Sequence, residues 1–309
     1  MQALSSKKRS ITGILLLDKP KGITSNQALQ KAKRLFLAHK IGHTGSLDPL
    51  ATGLLPLCLG EATKFSQFLL NADKIYVVSA HLGVKTNTGD AEGEVIKSCP
   101  VMDYSFDRLE AILSNFRGSI LQTPPMFSAL KYKGQPLYKL ARQGIVVERS
   151  PRAVTIHCLR LLGSREDKRV LNLEIKCSKG TYIRTLIEDI GDALGCGAYV
   201  QDLRRLGVAN YSADQMVSLE ELQTISQAER YEKLVNLDSL LSEWPVLKIS
   251  QAAAYYLYCG QAILLPNLPK QGLLRLCLKE NNRFIGIGEI LEDGRVSPRR
   301  LIDLTQPES

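Results

Sequence analysis

Apolar and polar positions alternate with different periods along the chain, and each change of period marks an element. Ile14 to Asp18 is a short apolar run halted at Lys19-Pro20, the pattern of a buried strand stopped by proline. Ala28, Leu29, Ala32, Leu35 and Phe36 then recur at helical spacing behind Ser25, a residue type that caps helices. Lys31, Lys33 and Arg34 fall off that stripe and give the helix a basic outer face. Leu54, Leu55, Leu57 and Leu59 form a second buried run, and Ile75 to Leu82 reads as a strand. A Gly/Asp-rich loop, NTGDAEGE, separates that strand from a short one at Val95-Ile96. Ser105 begins a helix with Phe106, Leu109, Ile112, Leu113 and Phe116 on one face, ended by Gly118.

Residues 122–152 break the pattern: prolines, glycines, tyrosines and basic residues replace periodicity, as expected of a weakly packed arm. Val154–Leu162 and Val170–Cys177 read as paired strands around the turn Ser164–Arg169, and SKGTYIRT leads into a helix over Leu186–Leu194, ended by Gly195. Ser218 and Glu221 have capping-box spacing for a later helix. Near Trp244-Pro245 the texture changes. Beyond it, Leu273–Leu278 and Phe284–Ile290 are strand-like and joined by a polar turn, a small β-rich module over residues 246–309.

Composition narrows the class. The chain has 309 residues, 44% hydrophobic and 23% charged, the profile of a soluble globular protein with room for one large domain and a small one. No apolar run approaches the ~20 residues of a membrane helix. The basic start MQALSSKKRS lacks a following signal-peptide core, because Asp18 and Lys19 cut the apolar run short, so a cytoplasmic address is expected. Seven scattered cysteines without a C-x-x-C pair argue against a disulfide framework and a zinc site. His39 and His43 are four apart, but Gly42 lies between them and no further ligand is near, so no metal is expected.

The net charge of +9 is unevenly placed. Residues 1–50 hold nine Lys and Arg against two Asp and Glu, and residues 122–152 hold six against one. Two basic patches of this kind, one interleaved with tyrosines, suit a phosphate backbone and unstacked bases. A charged run is as often a solvated face, so nucleic acid is the expected partner only if the patches meet in space.

Candidate chemistry centres on Gly42 to Lys64, GHTGSLDPLATGLLPLCLGEATK. Glycines at 42 and 45 free the backbone, and Asp48 before Pro49 is held out of the helical region. A constrained polar loop against an apolar anchor presents one side chain rigidly. Residue types alone leave an ordinary Asp-Pro turn as the commoner reading.

The whole stretch, however, closely resembles the signature of the TruB-type tRNA pseudouridine(55) synthase family, in which the aspartate of the G-H-T-G-x-L-D-P core is catalytic. Lys19 and Pro20, in LLLDKPKG, match a second family motif. The resemblance implies an α+β pseudouridine synthase fold with a central, mainly antiparallel sheet over residues 1–245. The arm at 122–152 corresponds to a thumb that closes on RNA, and residues 246–309 correspond to a PUA-like RNA-binding domain. It assigns Asp48 as nucleophile, Tyr76 as the tyrosine stacking on the target base, and Arg184 as the partner of the aspartate. It places Tyr182 and Leu203 in the pocket lining and His43 at the space vacated by the flipped nucleotide. Lys19 shapes the pocket floor, and Lys64 contacts phosphate.

The expected activity is isomerisation of uridine 55 in the tRNA T loop without cofactor, metal, membrane or obligatory protein partner. Whether Asp48 attacks the sugar or the base stays open. Two alternatives carry different predictions: an RNA-guided dyskerin-type subunit, and an RNA-binding or RNA-folding protein.

Overall fold

The computed structural model describes residues 11–165, 168–265, 268 and 271–303. Strands β1 (Gly13–Lys19), β2 (Thr52–Leu59), β3 (Lys74–Leu82), β4 (Gly118–Gln122), β5 (Arg152–Arg165), β6 (Val170–Cys177) and β7 (Ala198–Val208) make one large sheet. Its order is β1-β2-β7-β3-β6-β5-β4, with the two-residue strand Val217–Ser218 outside β1. The neighbours run antiparallel except at β2–β7 and at Val217–Ser218 against β1. The sheet is therefore mainly antiparallel, within a mixed α+β architecture.

β1 is apolar at nearly every position because both faces of the sheet are covered. Leu15 and Leu17 enter one core with Leu55, Leu57, Tyr76, Val78 and Leu203. Ile14 and Leu16 point the other way, into a second core with Leu54, Cys58 and Phe65. Helices α1 (Ser25–Leu35), α2 (Phe106–Ser114) and α3 (Ile183–Leu194) line the first face through Ala28 and Ala32, Leu109 and Leu113, and Leu186, Ile187 and Ile190.

The second face receives a five-stranded C-terminal sheet. It contains β8 (Val246–Ile249), β9 (Gly272–Leu278), β10 (Phe284–Ile290) and β11 (Arg295–Leu301), with Ile263–Leu264 beside β11 and helix α4 (Gln251–Tyr258) against it. Cys277, Phe284, Ile287 and Ile302 join the second core, where the Phe284 ring lies 5.8 Å from that of Phe65. Among the described residues no helix is long and apolar enough to cross a membrane.

Three expectations change. The cap of α1 is Thr24, in a full capping box with Gln27; the Ser25 hydroxyl instead accepts from Leu47 N at 2.7 Å and donates to Leu47 O. That diversion ties α1 to the loop carrying Asp48. Helix α3 starts at Ile183, three residues earlier than periodicity suggested, because the buried polar Arg184 disguises its first turn. The arm is more ordered than its composition implied. Lys131–Tyr132 pairs with Gln135–Pro136, and a short helix, Leu137–Arg142, buries Leu137 and Leu140.

Candidate active site

Strand register assembles the site from four distant parts of the chain. Lys19 pairs with Gly53, Gly53 with Arg205, and Arg205 with Tyr76, so one row crosses β1, β2, β7 and β3. Gly53 is the gap in that row. Its φ is +98°, and a Cβ there would stand 2.2 Å from the Arg205 carbonyl oxygen. Only glycine admits both the dihedral and the approach. Leu203, two residues before Arg205 and paired with Val78, shares the first core with Tyr76.

The loop holding Asp48 folds over this row. Leu47 is pinned by Ser25, and Ala51 N donates to Asp48 O at 3.1 Å. Lys19 is buried, and its ammonium donates to Pro20 O at 2.9 Å, Ile23 O at 2.7 Å and Pro49 O at 3.3 Å. Burial lowers its pKa to about 8, against the pull of nearby Glu92 and Asp48. Lys19 thus holds the carbonyl of Pro49, the residue after Asp48.

Arg184 sits at the second position of α3 and is buried. Its Nη1 donates to Thr88 O and its Nη2 to Phe127 O, both at 2.7 Å. Its Nε lies 3.0 Å from Asp48 Oδ2 and 3.7 Å from Asp90 Oδ2. Three fixed contacts around one planar group suit arginine and no other cation. Asp90 is buried, accepting from Thr88 Oγ1 at 2.6 Å and Glu92 N at 3.1 Å.

Asp48 is packed among protein atoms yet keeps 44% of its side-chain surface open. Burial pushes its carboxyl above the usual aspartate range; Arg184 opposes that, Asp90 adds to it, and Lys19 opposes it weakly. A carboxylate oriented by a fixed guanidinium with one side open has the chemical means to act as a nucleophile.

Tyr182 precedes α3 in an extended conformation, its N–H donating to Gln122 Oε1 at 2.7 Å and its carbonyl accepting from Gln122 Nε2 at 3.0 Å. His43 ends the short strand Ile41–His43 beside β2; its Nδ1 is buried without a hydrogen-bond partner, and burial with Arg205 nearby lowers its pKa. The Lys64 ammonium meets Glu61 Oε2 at 2.6 Å and Leu301 O at 3.1 Å, and Glu61 also accepts from Asp303 N, so Lys64 ties the turn after β2 to the C-terminal sheet while its side chain stays partly exposed.

Asp90, Gln122 and Arg205 were not singled out from sequence. Arg205 carried a usable signal, since it lies two residues beyond Leu203 on a strand and so shares its face. Asp90 lies in the Gly/Asp-rich loop and Gln122 at the edge of the aperiodic arm, and neither position carries a local signal.

Comparison with known proteins accounts for nearly the whole chain. The model for "TruB family pseudouridylate synthase (N terminal domain)" matches residues 33–183. "tRNA pseudouridylate synthase B C-terminal domain" matches residues 184–244, and "Pseudouridine synthase II TruB, C-terminal" matches 245–302. The chain is 57% identical over 301 residues to tRNA pseudouridine synthase B of Coxiella burnetii (strain RSA 331 / Henzerling II), covering 96% of both chains. It is 55% identical over 306 residues to that of Stutzerimonas stutzeri (strain A1501), covering 98% of this chain and 99% of the relative. A crystal structure of a Cbf5-Nop10-Gar1 complex superposes with a TM-score of 0.71 at 24% identity, over 94% of this chain and 84% of the other, which shows a shared fold.

Proposed function

The chain belongs to the TruB family of pseudouridylate synthases, and from that premise we propose that it isomerises uridine 55 in the T loop of tRNA to pseudouridine. The reaction breaks the bond from ribose C1′ to uracil N1, turns the base and rejoins it through C5. A proton leaves C5 and one is gained at N1, so no atom enters or departs overall. Redox chemistry and phosphate energy are not required.

The observation that carries this reading is the open Asp48 carboxylate held 3.0 Å from the buried Arg184 guanidinium, above the row containing Tyr76. In this proposal Asp48 is the nucleophile, and Arg184 keeps it charged and oriented against the desolvation of a closed pocket. Tyr76 stacks on the extruded uracil and relays its proton, while Tyr182 and Leu203 line the pocket. Extrusion costs a few kcal/mol, which stacking on Tyr76 and insertion of His43 into the vacated space offset. The lysines of the arm, Lys131, Lys133 and Lys139, are exposed and available to phosphates of the T arm. The C-terminal sheet supplies a PUA-like surface for RNA, and the enzyme works in the cytoplasm with tRNA as its sole required partner.

The test is incubation of unmodified tRNA with the protein alone, followed by a pseudouridine-selective N1 adduct and mass mapping, since the two isomers have equal mass. One modified site at position 55 is expected. Absence of pseudouridine from folded protein refutes the reading, and a requirement for guide RNA transfers the chain to the RNA-guided class.

A further inference from the structure

The largest fully buried side chain among the described residues is Arg205, only 1% exposed, and its situation is unusual for a cation. Its Nε donates to Leu54 O at 2.6 Å, while Nη2 is buried and makes no hydrogen bond. Two of its titratable neighbours, Lys19 and Lys74, are themselves cations. Burial lowers the pKa of Lys19, His43 and Lys74, and Arg205 adds to the lowering in each. A buried charge without a carboxylate partner is costly, so folding gains little from it. Such groups persist where function uses them.

Geometry indicates the use. Arg205 and Tyr76 are direct cross-strand partners on β7 and β3, and both belong to the covered face of the sheet. Directly opposed antiparallel residues bring their side chains into contact. A register shift between Arg205 and Gly207 ends the regular ladder just past this pair. Gly45, in the loop before Asp48, lies over the guanidinium: a Cβ there would be 3.9 Å from Nη1. Gly53 leaves the row beside Arg205 empty of side chain. The guanidinium is thus enclosed by the Asp48 loop above and by the sheet row below.

We propose that Arg205 is a positioning residue for Tyr76, fixing the phenol oxygen and stabilising its anion while Tyr76 exchanges protons with the uracil. The proposal rests on the reading of the site given above. In the exchange the phenol gives its proton to the base and takes the C5 proton in return, so Tyr76 ends unchanged and N1 ends protonated. The groups facing Tyr76 are Arg205 from β7, Cys177 from β6 and Asp48 from its loop. Burial, Cys177 and Asp48 all favour the neutral phenol, and Arg205 opposes them.

The experiment places 2,3,5-trifluorotyrosine at position 76 of the full chain, which brings the phenol into an accessible range, and follows its ¹⁹F resonance against pH without RNA. Arg205→Gln is expected to raise the midpoint by about one unit or more, a tenfold change in proton affinity. Arg205→Lys, which keeps a charge but not the fork, should give a smaller rise. In single turnover both variants should lose rate at least tenfold with tRNA affinity held. An unmoved midpoint in a folded variant, judged by retained ¹⁹F dispersion, overturns the proposal.

Should the variants not fold, the native arginine is observed instead. One side-chain ¹⁵N resonance, still present in Arg184→Lys, must track the phenol midpoint and be static in Tyr76→Phe; its absence also overturns the proposal. The titration uses no substrate, so its failure is separable from failure of the proposed isomerisation.

Discussion

Replacing Arg184 by lysine tests the centre of the site most directly. The guanidinium makes two hydrogen bonds of 2.7 Å, to the carbonyls of Thr88 and Phe127, and a contact of 3.0 Å to Asp48. A lysine ammonium placed near Asp48 keeps the charge but reaches one of these partners, not three. Two charge-assisted bonds to partly buried carbonyls are lost, each worth about 1.5–3 kcal/mol before solvent and repacking offset them. A fall in stability of about 2–4 kcal/mol is expected, readable by urea unfolding.

The catalytic effect is distinct. Without the fork, Asp48 loses its fixed direction, and a displacement of about 1 Å at a reacting group costs on the order of 100-fold in rate. That corresponds to about 2.7 kcal/mol of barrier. The assay is single-turnover release of tritium from C5-tritiated uridine in tRNA with enzyme in excess, alongside filter binding of the same tRNA. The expected result is a rate about 100-fold lower with affinity within about threefold. A rate within about threefold of the native protein, or a rate loss matched by the loss of binding, would refute the Asp48–Arg184 pairing as the catalytic unit.

Asp48→Asn should abolish turnover while tRNA binding persists. Its thermal midpoint should equal or exceed that of the native chain. The folded-state pKa of Asp48 is raised, so ionisation above that pKa destabilises the fold; the neutral amide escapes this cost, by less than about 1 kcal/mol because the carboxylate is partly open to solvent. By the same sign, the acid limb of the native rate profile should fall at a pH above the ordinary aspartate value, and a limb at or below it would contradict the burial argument.

Neutralising Lys131, Lys133 and Lys139 together should weaken tRNA binding and reduce the slope of log K against log salt by about 2–3; an unchanged slope means the arm does not meet phosphate. Gly53→Ala should cost about 3 kcal/mol or more, from a Cβ 2.2 Å from a carbonyl oxygen at positive φ. A melting point within about 2 °C of native would show that the row between Lys19 and Arg205 can relax.

Much was already legible along the chain. The apolar run at Ile14–Asp18 announced a strand buried in the sheet, and the strands at Ile75–Leu82, Val170–Cys177 and Phe284–Ile290 appear close to those limits. Ser105 and Ser218 cap the helices they precede, and Gly195 ends α3 with φ +87°. These signals are local: a cap, a period or a positive φ involves a few consecutive residues, and the chain states them wherever it lies. Asp48 is marked by the resemblance of the Gly42–Lys64 stretch to a family signature, since its residue types alone read as an ordinary turn.

The tertiary structure decided how the groups around Asp48 are held and which further ones join them. Lys19, Gly53, Tyr76 and Arg205 are neighbours only because four strands pair in one register, and no local propensity encodes a register among strands so far apart. The resemblance named Arg184 as the partner of Asp48, but its two other anchors, the carbonyls of Thr88 and Phe127, come from segments that only the fold brings to it. Lys64 has Leu301 and Asp303 at its side only because the C-terminal sheet docks there. Sequence determined which segments can be strands, caps and turns, because those depend on nearest neighbours. Packing determined which charges meet, because that depends on how both faces of the sheet are covered.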